Sequence, residues 1–187
     1  MIRFITILIT FTFALPSQSG IIEMNGFNLE NILLEDSNRQ PGTAERYAYA
    51  YEVDINFFDF ATAEILNNGD TLWRLRLKSE NAFGMKVHFS DFYIPNHSSL
   101  TFSSSDQTMS DGPFTSVNNH PDGQFGHALI KGEDLILEYI QSSSSIGDAR
   151  LNISTIYHAY KDILGFYNTE SERNCGINVA CDDGEYS

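Results

Sequence analysis

From Tyr47 onward the chain repeats every second residue, and that period restricts what it can become. Tyr47, Tyr49, Tyr51, Val53, Ile55 and Phe57 alternate with Ala48, Ala50, Glu52, Asp54 and Asn56. Successive side chains on an extended strand point to opposite faces, so this stretch buries one face and wets the other. Trp73, Leu75 and Leu77 then alternate with Arg74, Arg76 and Lys78, which sets a row of cations on the outer face opposite the indole. The pattern continues with Met85, Val87 and Phe89 against Lys86, His88 and Ser90, then Phe92 to Ile94 before Pro95, then Leu100 and Phe102. Turn chemistry punctuates it at Asn67-Asn68-Gly69-Asp70, Gly112-Pro113, Pro121-Asp122-Gly123 and Lys131-Gly132-Glu133-Asp134. Apolar segments fill the gaps at 114–117, 125–130 and 135–140. Leu151, Ile153, Thr155 and Tyr157 give one face of the last long strand. Roughly eight or nine short strands without crossover helices predict an all-β fold, an antiparallel, jelly-roll-like β-sandwich over residues 47–161.

Upstream, residues 20–46 form a mixed lead-in with a short amphipathic stretch at Phe27 to Leu34, ended by Pro41-Gly42. Before it, Arg3 precedes an uncharged run from Phe4 to Leu15, then Pro16 and the small-residue site Ser17-Gln18-Ser19. That order is n-region, h-region and cleavage site, so residues 1–19 read as a signal peptide cut after Ser19. The run is too short to act as an anchor, since a spanning helix needs ~20 apolar residues. The expected product is secreted, extracellular or periplasmic, and leaves no membrane segment behind.

Charge narrows the partners. Twenty-five acidic residues against 11 basic give a net charge of -14. Nucleic-acid binding rests on neutralising phosphates with Lys and Arg, so it is excluded as a function. A 42% hydrophobic content with 13% aromatic residues supplies enough apolar mass for one core, and the chain is read as a monomer.

Few residues group into recognisable chemistry. His120 and His127 flank Asp122, and imidazole with carboxylate suits zinc, although Pro-Asp-Gly is also an ordinary tight turn. Glu133, Asp134 and Glu138, and Asp182 with Asp183, are acids that read better as solvated than as a glycosidase pair. Ser103 to Ser105 and Ser142 to Ser145 are polar loops rather than nucleophile elbows. Tyr47, Tyr49, Tyr51, Phe92, Tyr93, Tyr139, Tyr157 and Tyr160 would stack sugars if exposed, making a carbohydrate-binding or adhesion module the alternative function. Their alternation favours core. No catalytic set and no cofactor or metal is called for.

The only cysteines, Cys175 and Cys181, stand close to the last residue given. An exported protein pairs its thiols, so the two either bridge each other or await partners elsewhere.

Several segments, taken in order, resemble the propeptide of secreted bacterial lysyl endopeptidase-like serine proteases. Gly69-Asp70-Thr71-Leu72-Trp73-Arg74-Leu75-Arg76-Leu77-Lys78-Ser79 is similar to that family's G-D-x-x-W-R-L-x-I-x-S strand, and residues 81–95 to the hairpin that follows it. Gly112 to Thr115, Gly132 to Tyr139 and Ile153 to Tyr160 are similar to its G-P-F-T, G-D-x-I-x-L-E-Y and V-x-H-G-Y segments. Cys175-Gly-Ile-Asn178-Val179-Ala-Cys181 resembles the opening of the trypsin-like catalytic domain, with Asn178 where the family has Asp and Asp182 where it has Pro. The resemblance implies a non-catalytic propeptide that helps a downstream protease domain fold and temporarily inhibits it. It also implies that Cys175 and Cys181, in the stretch 175–187, bond to cysteines of that domain. Processing would fall in the linker 162–174, near Arg173, or at Lys161 beside it.

Overall fold

A computed structural model describes residues 20–40 and 42–167. The stretch expected to be a signal peptide, with Ser19, and Arg173, Cys175 and Cys181 lie outside the described residues. The period-two segments form two sheets stacked face to face, as the alternation requires. The first sheet contains β1 (Ile21–Glu23), β4 (Thr71–Lys78), β10 (Asp134–Gln141), β6 (Ser99–Ser104) and β7 (Ser110–Phe114), in that spatial order, with β3 (Thr62–Ile65) also on β4. The second runs β2 (Ala48–Asn56), β11 (Arg150–Ala159), β5 (Gly84–Tyr93) and β8 (Phe125–Gly126), with β9 (Ile130–Lys131) also on β5. Every pairing is antiparallel except that of β1 with β4. From β4 onward the chain passes back and forth between the sheets, which is how a sandwich of the expected kind closes.

The described residues of the lead-in pack against the body. β1 lies parallel to β4 in the register Ile21↔Arg76, and β3 takes the rest of the same edge through Thr62↔Arg74. β4 is thereby shielded from pairing with another chain. α1 (Leu29–Ser37) starts where Asn28 Oδ1 accepts the Asn31 N–H at 3.0 Å, an N-cap that stands inside the amphipathic stretch. Asp36, at its other end, receives Arg46 Nε at 2.9 Å, Lys161 Nζ at 3.2 Å and the Tyr160 hydroxyl at 2.8 Å. This tie holds the helix to the last strand of the body.

Between the sheets, Leu75, Leu77, Leu135, Leu137, Tyr139, Leu100 and Phe102 of the first meet Met85, Val87, Phe89, Ile153 and Ile156 of the second. Phe57, from the short helix α2 (Phe57–Phe60), plugs one edge and is fully buried. On the outer face, Arg74 pairs with Glu138 and Arg76 with Asp134 across β4 and β10. The expected row of cations is therefore matched by acids on the neighbouring strand.

One expectation fails in β11. Leu151 and Ile153 point inward as the period requires, but the register shifts between Ile153 and Thr155 on both flanking pairings. A bulge of this kind adds one residue to one strand and reverses the facing of all that follow. Ile156 and His158 therefore become interior while Tyr157 is turned outward, beneath Lys86 Nζ at 4.9 Å from its ring. A second shift, between Asn152 and Ile153 on β5, skips Ser90 and explains why Phe89 and Phe92 are both buried.

Candidate functional site

The metal candidate of the sequence does not assemble. His120 is exposed and holds Asp122 through Nδ1 at 2.8 Å, while the same carboxylate accepts the Gln124 N–H within the turn. His127 is buried and stacked on Phe102, ring centroids 3.7 Å apart, with Nε2 accepting the Val87 N–H at 3.1 Å. Its Nδ1 has no hydrogen-bond partner, and Asp111 Oδ2, 3.9 Å away, is already engaged by the Ala128 N–H. Burial pushes the His127 pKa down to about 4, with the Asp111 charge opposing only part of that shift. No group of three or more potential ligands occurs among the described residues.

The other candidates have structural partners. Asp134 and Glu138 are held by Arg76 and Arg74, and Glu133 accepts the Asn81 N–H at 2.8 Å. The aromatic stripe is divided: Phe92, Tyr139 and Tyr160 are buried, Tyr93 lies under Arg150, and half-buried Tyr49 and Tyr51 meet edge to face at 4.8 Å. Lys161 is locked between Glu45 at 2.9 Å and Asp36 at 3.2 Å.

What the fold does assemble is a cavity of about 700 Å³ at one end of the sandwich, between the lead-in, the β4–β5 turn and the segment after β11. A volume of this order suits a small ligand or a few residues of peptide. The β11 bulge is its first cause, because it delivers His158 to the cavity wall. There Nδ1 meets the buried hydroxyl of Ser79, the residue directly after β4, at 2.7 Å. Nε2 has no hydrogen-bond partner among the described residues. Burial lowers the His158 pKa, with the Glu133 charge pulling the other way, so the ring is neutral near pH 7.

The lead-in builds the facing wall. The Met24 N–H donates to the Lys78 carbonyl at 2.8 Å, and the Tyr51 hydroxyl donates to the Asn25 carbonyl at 2.6 Å. Phe27 then stacks on Tyr49 at 4.5 Å and sets its ring perpendicular to His158 at 4.8 Å. At the mouth, exposed Phe83 and Tyr167 meet edge to face at 5.7 Å. Asn81 adopts φ +64 in the turn below them, a conformation asparagine tolerates better than most residues.

A serine nucleophile needs its base oriented by an acid. Glu133, whose charge acts on His158, is committed to the Asn81 amide, and no carboxylate hydrogen-bonds the imidazole among the described residues. The Ser79–His158 pair is thus arranged to present one fixed imidazole nitrogen to the cavity. Sequence reasoning missed this pair, because residues 79 positions apart became neighbours only through the bulge. No protein-family model matches the chain, and no solved structure matches its fold.

Proposed function

We propose that this chain is the propeptide region of a secreted trypsin-like serine endopeptidase precursor. Not catalytic itself, it helps the downstream protease domain fold and blocks it until processing. The observation that carries the reading is where the family-like segments fall. They form β4, the turn into β5 and β5 itself, β7, β10 and β11, which are two of the three inner strands of the first sheet, both inner strands of the second, and one edge. A resemblance spread over the scaffold in the right order belongs to a whole domain rather than to one short motif.

The physical role follows from folding kinetics. A two-barrel β protease is dominated by non-local contacts and crosses a high entropic barrier before they form. A preformed sandwich that binds the folded protease stabilises it by mass action. Cys175 and Cys181 would pair with cysteines of that domain, and cleavage would fall at Arg173 or Lys161.

The reading frame beyond Ser187 provides the direct test. The expected result is continuous coding for a domain with a His, Asp and Ser triad and partner cysteines; a stop codon directly after Ser187 overturns the proposal. Functionally, the separately produced chain should raise the recovery of active enzyme when added to the denatured protease domain, and should slow the mature enzyme. A chain that does neither is not its propeptide.

A further inference from the structure

The cavity has a chemical preference independent of any protease. Its described lining includes two carboxylates, Glu80 and Glu133, and no lysine or arginine. Glu80 lies 3.9 Å from Lys78 Nζ, but Glu133 has no ion-pair partner among the described residues. Its charge acts on both His158 and Tyr167, so the carboxylate field reaches the polar floor and the aromatic mouth together. Phe27, Tyr51, Phe83 and Tyr167 surround the space between with rings, and ring faces attract cations. That attraction is already expressed at the rim, where Lys131 Nζ sits 4.6 Å from the Tyr167 centroid. Deeper in, the buried His158 offers an unpartnered Nε2, which accepts a hydrogen bond when Nδ1–H is turned to Ser79.

We propose that this cavity binds a basic side chain of an extended peptide, with its ammonium or guanidinium between Glu133 and His158 Nε2 and its methylene stem against Phe27, Phe83 and Tyr167. An aliphatic stem with a charged head matches a site whose walls are apolar and whose far end is acidic and polar. A neutral apolar side chain would leave the Glu133 charge without a counter-ion beyond its hydrogen bond from the Asn81 N–H, and an acidic one would meet Glu133 with like charge. The overall acidity of the chain further favours a basic partner. Ligand binding here does not depend on the propeptide reading, and a stop codon after Ser187 would leave it intact.

The test is titration of the full chain, by NMR or calorimetry, with blocked tripeptides carrying lysine, arginine, norleucine or glutamate at the centre. The expected result is saturable binding of the lysine or arginine peptide, about tenfold weaker for norleucine and for Glu133→Gln, the scale of one charge-assisted contact. Affinity should also fall as NaCl is raised. Should Glu133→Gln fail to fold, the lysine-to-norleucine ratio and the salt dependence of the native protein decide. Equal affinity for norleucine, salt-independent binding, or no saturable binding of either basic peptide overturns the proposal.

Discussion

Two buried histidines sit in this sandwich under opposite conditions. His127 is sealed inside the sheets, stacked on Phe102, with Nε2 accepting the Val87 N–H. His158 stands at the end of β11, hydrogen-bonded to Ser79 and facing a cavity walled by the lead-in. Burial lowers the pKa of both, yet an acid that opposes the shift stands near each, Asp111 for one and Glu133 for the other. The difference teaches that burial alone does not make a site. His127 has rings and backbone around it and no room, so it serves stability. An unpartnered nitrogen does not separate them, since His127 Nδ1 lacks a partner too; His158 lines a cavity, so it can serve binding.

The largest expected break of this contrast comes from Phe102→Ala, which removes a fully buried ring and the platform under His127. It should cost about 3–5 kcal/mol in urea unfolding. Acid comes next. A histidine whose folded pKa is depressed contributes its full stability above its ordinary value of 6.5, and that contribution is lost as pH falls toward about 4. Unfolding at pH 7 and pH 4 should differ by about 3 kcal/mol on this account, from the unit-shift equivalence. His127→Gln should remove most of that slope, whereas His158→Gln should leave most of it. A slope that follows His158 instead would reverse the assignment.

Smaller effects sharpen the other half of the comparison. Phe27→Ala deletes the ring that pins the lead-in over His158 and should cost about 1–2 kcal/mol, from its aromatic contacts and partial burial. Hydrogen exchange should locate that loss in residues 24–31 rather than in the central strands. Ser79→Ala, which strips His158 Nδ1 of its partner, should cost about 1 kcal/mol. Smallest of all, Arg74→Ala removes a half-exposed pair with Glu138 and should change stability by less than about 0.5 kcal/mol.

Much of the scaffold was legible in the sequence because its cause is local. Leu75 and Leu77 are interior and Arg74 and Arg76 exterior for the same reason that an extended chain alternates, and Gly69 marks the turn before them with φ +86. β3 left no signal, since all four of its residues are exposed and its pattern has no contrast. β1 left little, because three residues on an edge carry no period.

The sequence by itself determined that this chain folds as stacked antiparallel strands, since strand periodicity is written in neighbouring residues. Only the tertiary structure decided which faces met at the end of β11. There a register shift, set by pairing with β2 and β5 far along the chain, turned Tyr157 out and His158 in. A bulge costs one residue of pairing and reverses every side chain after it, and its position depends on how two distant strands fit on either side. For that reason the cavity, and the Ser79–His158 contact that floors it, could not be read from the sequence order.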